Sequence, residues 1–518
     1  MSEPLNVTPG PPQSAPPMLL SGNPLSWLKV FGPGAIIASL TIGTGELIFS
    51  TRGGALFGYN ILFLFVVISI LKWGLVLGTA RHMVLTGVHP FQRMMNLPGP
   101  RGWAPMAFFI LAAICMPIWV SFHSGVLGNL TSWVSGTEAM FNGGADFVWG
   151  AAILSGLLLL SATEGYTVLE RVQLAIVAAL IICAGISLVL YNPDWWALLK
   201  GAVIPSVYEY PNWIGEYPKI ATQPVWVETT RYVGVIGGAG YDYLAYTSFL
   251  REKRWGKAGA APATRQQLET IAADPNHPVR RWLRAPYIDC SISFIIVIAF
   301  SAVFVASGTI ILAPEHKIPD EKNLLNLQAE FVVGLSPVLL PLYVAGAFLT
   351  MLGTLYGTLE VAHTVLNEMA RSVNDAWAAQ HQRRLKTYTV AWCAVIAYGV
   401  LTWQYFYTTS GGADKPRALL AVMTPANLFT GVLLCGLLCL LNPWMDHRFL
   451  PRALRMPKWL WLLNLFAAVV FLSLGVKGYW DHDSRWIALG GLCLVVVVAW
   501  GLAFALRGRL HRTATDGD

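Results

Sequence analysis

The 518-residue chain is 55% hydrophobic and only 12% charged, and its formal net charge is +7 at pH 7. A soluble domain typically carries about 25% charged residues, so this composition excludes an ordinary water-soluble protein. The chain also contains 21 tryptophans, a residue enriched in the aromatic belts at membrane surfaces. We therefore predict an all-α polytopic membrane protein.

Residues 1–25 are rich in Pro and Ser and contain no apolar run. They are predicted to form a disordered cytoplasmic tail rather than a signal peptide. Beyond them, apolar runs recur that approach the roughly 20 residues needed to cross a bilayer as a helix. Twelve transmembrane helices are predicted near 26–50, 59–80, 104–125, 147–162, 167–191, 231–250, 287–313, 336–366, 388–407, 418–441, 459–477 and 486–506.

Lysine and arginine are concentrated in the loops that follow even-numbered helices. The loop at 251–285 carries eight of them, whereas the loop at 126–146 carries none. Because cytoplasmic loops are enriched in Lys and Arg, both termini are predicted to be cytoplasmic, including the tail at 507–518. The positive charge then faces anionic lipid, and no nucleic-acid partner is expected.

Two predicted helices, the first and the sixth, contain glycines close to a carboxylate. The first has the sequence Gly-Thr-Gly-Glu at 43–46, and the sixth has Gly-Gly-Ala-Gly-Tyr-Asp at 237–242. Glycine-interrupted helices at corresponding positions of two halves typically mark a transporter's central site, so both helices are predicted to break there. The alternative is that these glycines serve only close helix packing.

The two carboxylates, Glu46 and Asp242, favour a binding site over packing alone. A carboxylate at mid-membrane depth is costly and usually marks an ion or substrate path. The structural alternative is that the carboxylates pair with buried cations, for which Lys72 and Arg52 are the candidates.

Four segments, taken in chain order, resemble the Nramp family of divalent-metal transporters. They are the first helix from Gly-Pro-Gly at 32–34 to Gly-Gly-Ala-Leu-Phe-Gly-Tyr at 53–59, then Thr79–His89, Leu198–Ser206 and Tyr287–Ile292. The resemblance implies the LeuT-type fold, with a five-plus-five inverted repeat and two additional C-terminal helices. The first repeat is then expected at 26–191 and the second at 231–441, joined by an outer loop at 192–230. The last two helices are expected within 442–506.

The residues at the family's functional positions differ. Where the family has Asp-Pro-Gly-Asn in the first helix, this chain has Gly-Thr-Gly-Glu at 43–46. In the sixth helix, where the family has Met-Pro-His, this chain has Gly-Tyr-Asp at 240–242, or Tyr-Asp-Tyr at 241–243 if the alignment shifts by one residue. Pro117 and Val120 replace the acidic residues of the family's proton path, and the nearby His123 could relay protons or only pack against a neighbour. Magnesium-carrying branches of the family are similar in lacking the methionine and the proton path.

These substitutions favour a hard cation, because a methionine thioether is the soft ligand that selects transition metals. We expect a secondary transporter or uniporter of a divalent cation such as Mg²⁺ or Mn²⁺ that works by alternating access, has no cofactor and is not coupled to protons. The predicted oxygen ligands belong to Glu46, Asp242, Thr44 and Tyr241 and to the backbone near Leu40, Gly43 and Gly237. The residues predicted to surround them are Gly45, Gly240, Asn427 and His123.

Two other functions remain open. On the same fold, the amides at 43–45 could bind the carboxylate of an organic solute such as an amino acid, and Glu46 and Asp242 would receive its amine. A receptor or scaffold would bind a ligand without turnover. No nucleophile–base pair, phosphate loop or cofactor motif indicates an enzyme. We expect the chain in the plasma membrane of a bacterium, with the lipid bilayer and the metal ion as partners; the sequence predicts no oligomeric state.

Overall fold

The computed structural model describes residues 15–27, 32–34, 42–162, 182, 185–186, 188–320, 323–334, 336–410, 419–482 and 485–507. Within these ranges the chain is almost entirely helical. Eight segments of the described residues are long and apolar enough to cross a membrane, and the shorter Ala145–Leu160 is also apolar. The predicted all-α membrane architecture is confirmed.

The helices are numbered here in chain order. Their bounds are α1 (Ile42–Ser50, continuing through Thr51–Phe57), α2 (Ile61–Thr86), α3 (Trp103–Val134), α4 (Ala145–Ala162), α5 (Trp195–Val203), α6 (Val225–Val235), α7 (Gly240–Lys253), α8 (Arg265–Ala273), α9 (Arg284–Ser307, continuing through Gly308–Leu312), α10 (Leu340–Val373), α11 (Gln382–Thr409), α12 (Leu419–Asn427, continuing through Leu428–Leu433 and Leu434–Phe449), α13 (Lys458–Trp480) and α14 (Arg485–Ala505).

Most predicted spans coincide with helices. The spans predicted second to fourth fall on α2 to α4, and those predicted seventh to twelfth fall on α9 to α14. The fifth predicted span, 167–191, lies mostly outside the described residues, as do residues 35–41 of the first. The agreement follows from hydropathy, because an apolar run of this length satisfies its backbone hydrogen bonds in a membrane only as a helix.

The end of the tail that the sequence predicts to be disordered is folded. Two short helical turns, Pro17–Leu20 and Pro24–Trp27, precede α1. The side chain of Leu19 is fully buried, and Arg284 at the start of α9 donates a hydrogen bond to the Leu20 carbonyl oxygen (3.3 Å). A buried leucine and a contact 264 residues away in sequence therefore hold this segment, and neither is visible in its composition.

The sixth predicted span is broken, as the sequence predicts. Helix α6 ends at Val235 and α7 begins at Gly240. Between them, Gly237 and Gly238 have φ angles of +78° and +101°. A left-handed conformation costs a residue with a Cβ about 1–2 kcal/mol, so these two glycines allow the chain to turn at membrane depth.

The first predicted span is not broken at residues 43–46, and this part of the prediction is wrong. These residues lie inside α1, whose first nine residues form wide turns of the π-helical type. A Cβ on Gly43 would collide with the Thr354 side chain of α10, and one on Gly45 would lie 2.8 Å from the Val235 carbonyl oxygen of α6. Gly43 and Gly45 therefore serve close helix packing, which is the alternative raised above.

Glycine contacts also hold α1 against α9. A Cβ on Gly54 would collide with the backbone of Val305, and one on Gly308 would collide with the Thr51 carbonyl oxygen. Small residues of this kind let helices approach closely in a membrane. Helix α1 also packs against α6 and α10, and α3 packs against α10 and α12. Together these helices surround one central volume, which contains the break between α6 and α7.

Candidate functional site

A cavity of about 60 Å³ lies at the break between α6 and α7. Residues of α1, α3, α10 and α12 complete its wall, and three residues predicted from the sequence, Gly45, His123 and Asp242, line it. A cavity needs about 10–15 Å³ of this space to hold one water molecule. The volume therefore suits a small ion with a few waters.

Asp242 is the third residue of α7 and has two roles at this site. One of its carboxylate oxygens accepts a hydrogen bond from the Ala239 N–H (2.7 Å). This bond caps the first turn of α7, where the helix dipole favours negative charge. The same residue lines the cavity, so it brings a carboxylate to the cavity wall.

Glu46 of α1 is fully buried beside the same break. Its Oε1 accepts a hydrogen bond from the Gly237 N–H (3.3 Å). Its Oε2 has no hydrogen-bond partner among the residues that the structure describes. Leaving a buried acceptor unpaired costs about 1–3 kcal/mol, and more when it is charged. Glu46 Oε2 is therefore a buried acceptor of this site that a bound ligand would satisfy.

Lys72 of α2 also reaches the break. Its Nζ donates hydrogen bonds to three carbonyl oxygens, those of Gly234 (3.3 Å), Ile236 (2.7 Å) and Gly238 (2.6 Å). The carbonyl oxygen of Gly237, which the sequence predicts as a ligand, accepts a hydrogen bond from the Tyr243 hydroxyl (2.7 Å). Most of the carbonyl groups that the break exposes are thus bonded within the protein.

The charges at the break are two carboxylates and one ammonium group. Lys72 interacts electrostatically with Glu46 and Asp242, but its hydrogen bonds go to the backbone. In the described parts of the chain, no three His, Cys, Asp or Glu side chains come together as a group that could hold a metal ion. A cation in the cavity would therefore depend on two carboxylates, backbone atoms and water.

Two other predicted residues, Tyr241 and Asn427, have their polar groups in contacts between helices. The Tyr241 hydroxyl donates to the Phe108 carbonyl oxygen of α3 (2.8 Å). The Asn427 side-chain amide of α12 donates to the Arg231 carbonyl oxygen of α6 (3.1 Å). The structure does not bring either polar group to the cavity.

The remaining predicted residues are backbone positions or lie outside the described residues. A Cβ on Gly240 would lie 2.6 Å from the Leu434 side chain of α12, so this glycine provides room for packing. Leu40 and the side chain of Thr44 lie outside the described parts of the structure, and their assignment as ligands stays a prediction.

His123 of α3 forms part of the cavity wall. Its Nδ1 lies 3.2 Å from the Thr358 hydroxyl of α10, and its ring packs against Trp119. The Trp119 indole N–H donates to the Thr430 hydroxyl of α12 (3.1 Å). These contacts join three helices around the cavity. Met116, on the same helix, also lines the cavity.

Arg52 of α1, one of the candidate partners for the site carboxylates, pairs with a different residue. Its Nε donates to Glu228 of α6 (2.5 Å), and its Nη1 donates to the Pro319 carbonyl oxygen (2.7 Å). Glu228 also accepts from Arg231 (2.7 Å) and from the Tyr232 hydroxyl (2.7 Å). This buried cluster fastens α1 to α6. Glu228 is not among the residues predicted from the sequence, although a carboxylate at the edge of an apolar segment is a detectable signal.

Asp289 of α9 holds a second set of hydrogen bonds between separate segments, and it too is not among the residues predicted from the sequence. Its carboxylate oxygens accept hydrogen bonds from the N–H groups of Gly32 (2.8 Å) and Gly34 (2.7 Å). The Tyr246 hydroxyl of α7 donates to the same carboxylate (2.9 Å). Asp289 thus ties the Gly-Pro-Gly segment at 32–34 to α7 and α9.

Comparison with known proteins identifies related sequences. A family model described as "Natural resistance-associated macrophage protein-like" (Nramp) matches residues 34–481. The divalent metal cation transporter MntH of Listeria innocua is 24% identical over 335 residues, which cover 63% of this chain and 66% of that protein. MntH of Caldanaerobacter subterraneus is 21% identical over 336 residues, covering 64% of this chain and 70% of that protein. The chain thus spans just under two thirds of the Listeria relative.

Solved structures are similar over nearly the whole chain. Crystal structures of two mutants of the Eremococcus coleocola manganese transporter align with TM-scores of 0.64 and 0.63. Each alignment covers 94% of this chain and 96% of the transporter, at 14% sequence identity. At this identity the likeness establishes a shared fold.

Proposed function

Because this chain belongs to the Nramp family, we propose that it is a secondary transporter that moves a divalent metal cation across the membrane. The family consists of transporters rather than enzymes. In alternating access, one group of helices moves against another around a fixed site. The proposed site is the cavity at the break between α6 and α7.

The observation that carries this proposal is the buried Glu46 carboxylate beside the break. Its Oε2 has no hydrogen-bond partner in the described parts of the chain. Glu46 and Asp242 each accept a hydrogen bond from a backbone N–H of the same short break, at Gly237 and Ala239. Asp242 lines the cavity and Glu46 lies beside it at the break, so the two carboxylates could together bind a cation that takes oxygen ligands and keeps some of its water.

We propose a hard divalent cation, Mg²⁺ or Mn²⁺, as the substrate. The carboxylates of Glu46 and Asp242 suit both ions, because oxygen ligands are preferred by magnesium and manganese. Met116 lines the same cavity, and a thioether ligand would favour the softer Mn²⁺. A comparison of the two ions in one transport assay identifies the substrate.

Proton coupling is not part of this proposal. Pro117 and Val120 occupy the positions where the family has acidic residues, and neither side chain titrates. His123 Nδ1 lies 3.2 Å from the Thr358 hydroxyl in the cavity wall, a contact that would account for this histidine without proton transfer. Transport down the gradient of the metal ion itself is the simplest mechanism consistent with these residues.

The alternative substrate, an organic solute such as an amino acid, fits the cavity less well. This cavity measures about 60 Å³, far below the roughly 300–1,000 Å³ of pockets for drug-sized ligands, so it has room for only the smallest organic solutes. An ion with a few waters fits the observed volume.

Metal flux into proteoliposomes tests the proposed function. We expect uptake of Mn²⁺ or Mg²⁺ by the purified protein, and at least about a tenfold loss of apparent affinity in Glu46→Gln and Asp242→Asn, equivalent to about 1.4 kcal/mol. Glu269→Gln, which removes an exposed carboxylate of α8, is the matched control and should transport normally. Absence of flux for both ions, or unchanged flux in Glu46→Gln, would contradict the proposal.

A further inference from the structure

Lys72 is a charged side chain in the middle of α2, and it is fully buried. An ammonium group has three N–H donors and no acceptor. All three donors of Lys72 have partners, because its Nζ contacts the carbonyl oxygens of Gly234, Ile236 and Gly238 at 3.3, 2.7 and 2.6 Å. The number of donors matches the number of acceptors.

The three acceptors lie at the C-terminal end of α6 and in the break that follows it. Carbonyl groups at the end of a helix have no partner within that helix, and an unsatisfied backbone group at membrane depth is costly. The C-terminal end of α6 also carries the negative end of its helix dipole. Converging carbonyl oxygens of this kind replace the hydration shell of small cations in ion channels. The Lys72 ammonium therefore lies in a cage that could hold a free cation.

The same ammonium sets the charge of the neighbouring cavity. It interacts electrostatically with Glu46 and Asp242. When all three groups are ionised, two carboxylates and one ammonium leave a net charge of −1. Without Lys72 the net charge would be −2, and the carbonyl oxygens would lose their donor.

We propose that the Lys72 ammonium is a tethered cation, which permanently fills a small-cation site formed by the carbonyl groups of the break. The protein then needs no free monovalent ion at this position, and the transported ion binds beside it at Glu46 and Asp242. Lys72 is a positioning residue that also excludes Na⁺ and K⁺. The part of this inference that concerns the transported ion rests on the proposed function; the part that concerns the cage does not.

Chemical replacement of the ammonium tests the cage without a transport assay. Lys72→Ala removes three methylene groups with the ammonium, which n-propylammonium would restore. Lys72→Met keeps a chain of similar length and leaves space for Na⁺ or K⁺. We expect both variants to unfold at lower temperature than the native protein. We also expect saturable recovery, by n-propylammonium for Lys72→Ala and by Na⁺ or K⁺ for Lys72→Met, because a ligand that binds the folded state raises its stability.

The controls use the same helix and the same ionic strength. Ser69→Ala changes a buried residue one turn before Lys72. The Ser69 hydroxyl has no hydrogen-bond partner in the described structure, so this variant should respond to none of these cations. N-methyl-D-glucamine, which is too large for the cage, replaces the test cation in every series. If Lys72 were only a packing residue, both variants would be destabilised without recovery by any small cation, and this outcome overturns the inference.

The native protein gives a second measurement in case the variants do not fold. Its unfolding temperature should be the same in Na⁺, K⁺ and N-methyl-D-glucamine at constant ionic strength, since the cage is already filled. Saturable stabilisation by Na⁺ or K⁺ would overturn the inference. Neither measurement uses a divalent metal, so a failure of the cage and a failure of metal transport are seen in different experiments.

Discussion

Glu228 joins the C-terminal part of α1 to the N-terminal part of α6. It accepts hydrogen bonds from Arg52, Arg231 and Tyr232, and its side chain is fully buried. Because several donors surround one carboxylate, the charge is well compensated in the folded protein. Removal of the charge leaves two guanidinium groups without their shared partner.

Substitution of Glu228 should therefore be strongly destabilising. Breaking a buried ion pair by removing one partner typically costs about 3–5 kcal/mol, and we expect Glu228→Gln to lower the thermal unfolding temperature accordingly. Glu330→Gln is the matched control, because its partner Lys317 is 40% exposed and exposed pairs contribute about 0–1 kcal/mol. Equal unfolding temperatures for the two variants would show that the buried cluster does not stabilise the fold.

At the scale of the elements, the break between α6 and α7 depends on two glycines with positive φ. Gly238 has a φ of +101°, and its carbonyl oxygen accepts the shortest of the three hydrogen bonds from Lys72 (2.6 Å). The backbone conformation of this residue and the position of the ammonium are therefore linked. Gly43 and Gly45 in α1 differ, since close contact with α10 and α6 explains them.

Gly238→Ala should disturb the break. The added Cβ costs about 1–2 kcal/mol in a left-handed conformation, so we expect a lower unfolding temperature and slower metal flux. In Gly399→Ala, the control, the Cβ enters open space on α11, and helix propensity favours Ala over Gly by up to about 1 kcal/mol. Normal stability and flux in Gly238→Ala would contradict the role assigned to this glycine.

At the scale of the whole molecule, the chain has the LeuT-type fold of the Nramp family, with its helices arranged around a central cavity. The loop at 251–285 contains a helix, α8, and a small apolar cluster in which Leu268, Ile271 and Val279 pack against Leu85 and Leu450. This basic loop is therefore folded. We propose that it faces the cytoplasm. The plasma membrane of a bacterium is the location that we propose.

Fusion reporters test this orientation. A fluorescent protein fused to the C-terminus of the full chain should fluoresce, and alkaline phosphatase at the same position should be inactive, because cytoplasmic loops are those rich in Lys and Arg. Phosphatase fused after Trp480, at the end of α13, is the control and should be active. The reverse pattern would mean that the basic loops face outward.

The sequence by itself determined features that are local in the chain. Apolar runs fixed the positions of most helices, because a membrane permits few other structures for them. Gly237 and Gly238 indicated the break, because glycine adopts a positive φ at low cost, unlike residues with a Cβ. Glu46 and Asp242 were found because charge in an apolar helix is rare and costly.

Only the tertiary structure decided which groups meet. Lys72 contacts Ile236, 164 residues away in the sequence, and Arg52 contacts Glu228 rather than Glu46. The Tyr241 hydroxyl bonds to α3 instead of the cavity. Each of these contacts depends on how separate helices pack, and a pattern within one helix carries no information about the residues that its neighbours bring. For the same reason, the sequence indicated Lys72 as a candidate partner of the carboxylates but not its hydrogen bonds to the carbonyl oxygens at the break.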